Sequence, residues 1–105
     1  MITELQIMKL NPTMAVIAIT GQGASLTKAG YRVMEIACRN GGYVAAGTGA
    51  HNGHVERVSA SAIASLVRRG YLTAMISPEG SYAARLSPRS MERLDYAVTK
   101  TMEAS

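Results

Sequence analysis

With 105 residues, the chain is long enough for one hydrophobic core and too short for two ordinary domains, so we expect a single domain over 1–105. Hydrophobic residues make up 48% of the sequence and charged residues 17%, a balance typical of folded proteins and not of disordered ones. The net charge of +4 permits phosphate contacts without requiring them. An aromatic content of 5%, with no Phe or Trp, argues against proteins that stack nucleic-acid bases on aromatic side chains.

Cysteine usage and hydropathy predict a cytoplasmic protein. Cys38 is the single cysteine, which excludes an internal disulfide and a cysteine-based zinc site. No apolar run approaches the ~18 residues expected of a membrane-spanning helix. Residues 1–10 carry one acidic residue and one Lys, and they lack the basic start of a signal peptide.

The N-terminal part of the chain contains one segment that periodicity leaves undecided and one whose length favours a strand. Residues 1–10 are mixed and fit either an edge strand or a short helix. Residues 14–20 form a short, continuous apolar run with β-branched residues, between the turn signals Asn11-Pro12 and Gly21. Such a run predicts a buried strand.

Two amphipathic segments predict helices. The first covers residues 27–39, with Thr27 as the N-cap, and Asn40-Gly41-Gly42 ends it. The second covers residues 58–69, and Gly70 follows it. Between them, residues 43–55 fit either a short strand followed by a hairpin turn at Asn52-Gly53 or a helix broken by glycines.

The last third of the chain predicts a hairpin and a helix. Residues 71–76 and 81–86 read as strands, and Ser77-Pro78-Glu79-Gly80 supplies the turn between them. Ser87-Pro88 combines an N-cap with a proline at the first helical position, and it opens a helix to about Met102. The apolar stripe of this helix consists of Met91, Leu94, Val98 and Met102.

This order of elements resembles the winged helix-turn-helix family, and MarR-like proteins in particular. The resemblance is carried by Leu26-Thr27-Lys28-Ala29-Gly30, by residues 58–72, which end in Arg68-Arg69-Gly70-Tyr71-Leu72, and by Arg85-Leu86-Ser87-Pro88. It implies an α+β fold, a winged helix-turn-helix with an N-terminal strand and a C-terminal helix. It also implies a small transcriptional regulator that reads double-stranded DNA with helix 58–69 and wing 72–86. Terminal helices would pair two subunits into a homodimer.

The side chains of helix 58–69 fit that role on physical grounds. With Ile63, Leu66 and Val67 facing inward, the outward face carries small and hydroxyl side chains flanked by arginines. Small residues allow close approach to the major groove, hydroxyls bind phosphates or bases, and Arg binds guanine edges or phosphates. The candidate DNA-binding residues are Arg57, Ser59, Ser61, Ser65, Arg68 and Arg85.

Three other interpretations stay open from the sequence. The same helix face fits a protein-interaction module, an inhibitor or adaptor that docks onto a nucleic-acid machine. If residues 14–20, 43–46, 54–58 and 71–76 are strands, the order β-α-β-β-α-β is that of a ferredoxin-like domain, including the ACT type that binds small ligands. The least specific reading is a solvated helix face.

The sequence predicts neither an enzyme nor a cofactor or metal site. The serines at 59, 61 and 65 have no acid–base partner arranged around them, and Cys38 lies on an apolar helix face without a His partner. His51 and His54 are three residues apart, and Glu56 is the nearest further ligand type. We interpret the two as exposed loop histidines.

Overall fold

The computed structural model of the chain describes residues 11–21, 26–51 and 54–103, and for 48–51, 54–56 and 101–103 it describes the backbone alone. Within these residues the chain is a mixed α+β protein with four helices, a three-stranded antiparallel sheet and a two-stranded ribbon. The elements are α1 (Pro12–Thr20), α2 (Lys28–Arg39), β1 (Tyr43–Ala45), β2 (Gly47–His51), β3 (His54–Val58), α3 (Ala60–Arg68), β4 (Leu72–Ile76), β5 (Tyr82–Leu86) and α4 (Pro88–Glu103). The predicted edge strand or helix over 1–10 lies outside the described residues.

Helix α1 replaces the buried strand predicted over 14–20, so the N-terminal strand of the expected fold is wrong. The side chain of Asn11 accepts hydrogen bonds from two backbone N–H groups of the first turn, at 2.9 and 3.4 Å. Pro12 occupies the first helical position, where its fixed φ favours a helix. Asn11-Pro12 is therefore a helix start and not only a turn. The side chains that α1 buries are Ala15, Val16 and Ile19.

Helix α2 confirms the prediction for residues 27–39. Thr27 caps it, since its hydroxyl accepts from the N–H of Gly30 at 3.0 Å. At the other end, the N–H of Gly42 donates to the carbonyl of Ala37 at 2.7 Å. A Cβ at position 30 would lie 3.2 Å from the Thr27 hydroxyl, a tight contact, so Gly30 leaves room for the capping side chain, whereas the 3.8 Å to the Leu66 side chain of α3 is an ordinary contact.

Helix α3 is shorter than the predicted helix 58–69. Val58 ends strand β3 and is buried, and Ser59 takes the N-cap position. At the C-terminus the N–H of Tyr71 donates to the carbonyl of Leu66 at 3.1 Å. The left-handed φ of +84° at Gly70 makes this return possible, as the sequence predicts.

The three-stranded sheet has the order β1-β5-β4 and is antiparallel throughout. Strands β4 and β5 confirm the predicted hairpin, and β1 pairs with the outer side of β5. Side chains on one face of the sheet include buried Val44, Ala84 and Leu72, which join the core. At the hairpin turn, the N–H of Ser77 donates to the carbonyl of Ser81 at 2.9 Å.

Strands β2 and β3 form a separate two-stranded antiparallel ribbon. The register runs from Gly47 opposite Val58 to His51 opposite His54. Residues 43–51 and 54–58 therefore form a short strand followed by two paired strands, and not a helix broken by glycines. The predicted turn at Asn52-Gly53 lies outside the described residues. The ferredoxin-like alternative is wrong, because α1 stands where its first strand is needed and β2 and β3 do not join the main sheet.

Helix α4 is fixed to the start of β4 by two buried serines. The hydroxyl of Ser87 donates to the carbonyl of Gly70, and the hydroxyl of Ser90 donates to the carbonyl of Tyr71, both at 2.7 Å. Ser87 also caps α4, since its hydroxyl accepts from the N–H of Ser90 at 3.1 Å. Because these groups are buried, the hydrogen bonds offset the cost of removing the hydroxyls and carbonyls from water.

The apolar stripe of α4 faces the protein's own core. Leu94 is fully buried, and Met91 and Val98 pack partly buried against the core. The side chain of Met102, the last member of the predicted stripe, lies outside the described part of the chain. The guanidinium of Arg93 donates to the carbonyl of Ile19 at 2.5 Å and ties α4 to the C-terminal end of α1.

None of the helices that the structure describes has both the length and the apolar character needed to cross a membrane.

Candidate functional site

The exposed face of α3 is a stripe formed by Ser61, Ser65 and Arg68, each of which is exposed. At about 100° per residue, these three side chains fall within an arc of about 60°. Ile63 and Leu66 on the opposite side are fully buried. The helix period therefore brings together three of the six predicted binding residues, and the hydrophobic core fixes which way they face.

Arg57 and Ser59 flank this stripe and do not belong to the helix. Arg57 is exposed and lies one residue before the end of β3. Ser59 is exposed, and its hydroxyl lies 2.7 Å from that of Ser61, without a capping bond to the helix. The helix start consequently presents two adjacent hydroxyls, and Arg57 precedes them in the chain.

Arg85 lies on the sheet, and not at the tip of the β4–β5 hairpin. It is opposite Tyr43 on one side and opposite Thr73 on the other, next to the base of the hairpin. Its guanidinium carbon lies 5.6 Å from the centre of the Tyr43 ring, within cation–π distance. Arg85 is thus held on the exposed sheet face, separate from the α3 stripe along the chain.

The tip of the hairpin carries an acid and an apolar side chain. Pro78, Glu79 and Gly80 are exposed, and Ile76 just before the turn is 68% exposed. The hydroxyls of Ser77 and Ser81 lie 2.7 Å apart and close the turn. This tip therefore presents no cation to a phosphate backbone.

Further cations stand on α2 and at the end of α3. Arg32 and Arg39 both form ion pairs with Glu35, the second at 3.5 Å, so that carboxylate neutralises part of the α2 surface. Arg69, which was not among the candidate binding residues, is exposed beside Arg68 and lies 5.5 Å over the Tyr71 ring. The Arg68-Arg69 pair in the sequence was the signal that could have placed it among them.

Among the side chains that the structure describes, no group of three or more His, Cys, Asp and Glu lies close enough together to hold a metal ion. Cys38 is buried on α2. Burial, together with the nearby charge of Glu35, raises the pKa of its thiol from the ordinary 9.0 to about 12. A neutral thiol is a poor nucleophile, so Cys38 is not suited to covalent catalysis.

A groove of about 730 Å³ runs beside the first turns of α4. Leu86, Pro88 and Met91 give it an apolar floor, and Glu92 and Asp95 line it as well. The candidate binding residues on α3 do not line this groove.

Comparisons with models of known protein families, with curated proteins and with solved structures find no match for this chain.

Proposed function

We propose that the chain is a winged-helix DNA-binding protein, a small transcriptional regulator. In this proposal α3 enters the major groove, and the β4–β5 hairpin lies along the phosphate backbone through Arg85 on β5, and not through its tip. The observation that carries it is the exposed stripe of Ser61, Ser65 and Arg68, opposite the buried side of the same helix. The proposal rests on the chemistry of this stripe and on the order of the elements around it.

The order of the elements from α2 to α4 supports the proposal. Helix α2 contacts α3, the hairpin β4–β5 follows α3 directly, and Ser87-Pro88 begins the next helix. These features agree with the resemblance that the sequence carries. The ribbon β2–β3 departs from it, because it stands where that family has a further helix before its recognition helix.

The side chains of the stripe suit contact with duplex DNA. Serine hydroxyls are short, so a helix that carries them can approach phosphates and base edges closely. Arg68, in the last turn of α3, and Arg57, before the first, supply charge at the two ends of the helix. Arg is the side chain that binds guanine edges and phosphates in a bidentate way.

The test is a titration of duplex DNA of mixed sequence at two salt concentrations. We expect salt-dependent binding that weakens when Arg57, Arg68 or Arg85 is changed to Ala, with the salt slope reduced by about 1 for each phosphate contact removed. A contact to a base edge would instead cost about 1–3 kcal/mol at particular sequences.

The matched control is Lys100→Ala, which removes the same charge from α4, an element that the proposal does not use. Equal losses in this control and in the three Arg variants would indicate a general charge effect and would contradict the proposed interface. Absence of binding at low salt would overturn the DNA-binding function. The α3 stripe would then be the candidate docking face of a protein-interaction module.

A further inference from the structure

Strand β4 is an edge of the three-stranded sheet. The order β1-β5-β4 places β5 on one side of it, and no strand in the described part of the chain pairs with its other side. The side chains of Thr73, Ala74 and Ile76 are exposed, the last to 68%. The outer side of such a strand carries a row of backbone N–H and C=O groups with which another chain can pair.

The hydrogen bonds of the β4–β5 hairpin show which residues of β4 point outward. The N–H of Ser87 donates to the carbonyl of Tyr71 at 3.1 Å, and these two residues continue the register of the hairpin. Hydrogen-bonded pairs alternate with non-hydrogen-bonded pairs in an antiparallel ladder, so every second residue from Tyr71 onward directs its backbone groups at β5. The residues between them direct their backbone groups at the outer edge, and they are Leu72, Ala74 and Ile76.

The edge lacks the features that usually keep an edge strand from pairing. Strand β4 contains no charged residue and no proline, and its five pairs with β5 follow one another without a bulge. Ala74 is opposite Ala84, which belongs to the core, so Ala74 and Ile76 lie on the core side of the sheet. Both side chains are nonetheless exposed, so the core leaves this end of the strand uncovered.

We propose that this edge pairs with the same edge of a second copy of the chain, joining two three-stranded sheets into one antiparallel sheet of six strands. With a two-fold axis beside Ala74, the two copies of Ala74 are opposite each other, and Leu72 is opposite Ile76 of the second copy. In this register the outward N–H and C=O groups of all three residues are paired. The exposed side chain of Ile76 then lies beside Leu72 of the second copy, on the core side of both sheets.

Charge favours a second copy as the occupant of the edge. The paired segment is uncharged, so two identical edges bring no like charges together. Beyond this segment, the hairpin turn carries Glu79, and the chain before β4 carries Arg69. Antiparallel pairing places the turn of one copy beside the start of β4 in the other, so a carboxylate and a guanidinium lie at each end of the interface. The proposal is independent of DNA binding.

The first test is sedimentation equilibrium of the full chain without DNA. We expect a monomer–dimer equilibrium between about 1 μM and about 1 mM protein. Ala74→Lys places two ammonium groups opposite each other and should weaken dimerisation by about 5-fold, the upper end for one cross-strand pair. The matched control is Thr99→Lys, which adds the same charge at an exposed position on α4 and should leave dimerisation unchanged.

A charge exchange at the two-fold axis tests the register itself. Ala74→Glu should weaken dimerisation as Ala74→Lys does, because two carboxylates are then opposite each other. An equal mixture of the two variant proteins should dimerise more tightly than either variant alone, because opposite charges then meet across the axis. Loss of folding cannot produce this recovery.

Amide hydrogen exchange at low and high protein concentration tests the same edge in the wild-type chain. The N–H groups of Leu72, Ala74 and Ile76 should become more strongly protected at the high concentration, where the edge is paired. Those of Thr73 and Met75 point toward β5, so their protection should change less.

Two results would overturn the proposal. The first is a wild-type chain that stays monomeric over the whole concentration range, which is a measurement that needs no variant to fold. The second is a dimer that Ala74→Lys weakens no more than Thr99→Lys does, because the interface would then lie elsewhere on the surface.

Discussion

The thiol of Cys38 is held in its neutral form by its position on the inner side of α2. It is buried, and burial penalises the thiolate, as does the negative charge of Glu35. The pKa of about 12 in the folded chain lies above the ordinary 9.0. The folded state consequently keeps this proton over a pH range in which the unfolded chain loses it.

This difference predicts a loss of stability in alkaline solution. A raised pKa in the folded state means that the stability is complete below the unfolded pKa of 9.0 and declines as the pH rises toward about 12. The steepest decline is about 1.4 kcal/mol per pH unit. Urea unfolding at about pH 8 and about pH 10.5 measures it.

The comparison protein for this measurement is Cys38→Ala. The two proteins share every other ionisable group, so the difference between the two pH slopes isolates the thiol. We expect the free energy of unfolding of Cys38→Ala to fall less between the two pH values. Parallel slopes would show that Cys38 does not carry the effect.

Helix α1 is stabilised by hydrogen bonds at both of its ends. Its sequence is apolar over almost its whole length. Ala15, Val16 and Ile19 are buried, whereas the apolar side chains of Met14 and Ile17 are exposed. The two bonds to the Asn11 side chain and the bond from Arg93 to the Ile19 carbonyl supply partners for groups that a helix leaves unpaired. The helix therefore depends on one side chain before it and on one from α4.

Removing the cap should destabilise the protein by about 1 kcal/mol, the usual cost of replacing an N-cap Asn with Ala. We expect Asn11→Ala to lower the urea midpoint of unfolding without changing the slope of the transition. Asn11→Asp is the matched control, because it keeps the oxygen acceptor and places a negative charge at the helix start, where it is favourable. An unchanged midpoint in Asn11→Ala would show that the cap contributes nothing to stability.

The elements that the sequence predicted correctly have both a period and a marked boundary. Helix α2 has Thr27 before it, α3 has Gly70 after it, and α4 has Ser87-Pro88 at its start. Residues 14–20 lack a period, because a continuous apolar run fits a buried helix as well as a buried strand. Residues 43–58 are rich in glycine, which weakens every local preference.

The candidate site was predictable only where it follows the helix period. Ser61, Ser65 and Arg68 face outward because the core selects the opposite side of α3. The position of Arg85 over Tyr43 depends on the pairing of β5 with β1, which local sequence does not encode.

At the scale of the whole molecule, charge limits what one copy can bind. The net charge is +4, and two arginines of α2 share the carboxylate of Glu35. The predicted homodimer cannot rest mainly on the apolar stripe of α4, because Leu94 is buried and Met91 and Val98 pack on the core. We still propose that two copies bind one duplex, because a second copy doubles the number of cations that contact phosphates.

If two copies bind one duplex, the salt dependence should reveal it. Three phosphate contacts from Arg57, Arg68 and Arg85 of one copy give a slope of log K against log salt of about −2.7, and two copies give about −5.4. Sedimentation of the complex with a labelled duplex measures the stoichiometry independently. We expect two copies per duplex and the steeper slope, because the second copy doubles the counterions released. One copy per duplex with the shallower slope would contradict the homodimer and would leave the proposed interface on α3 intact.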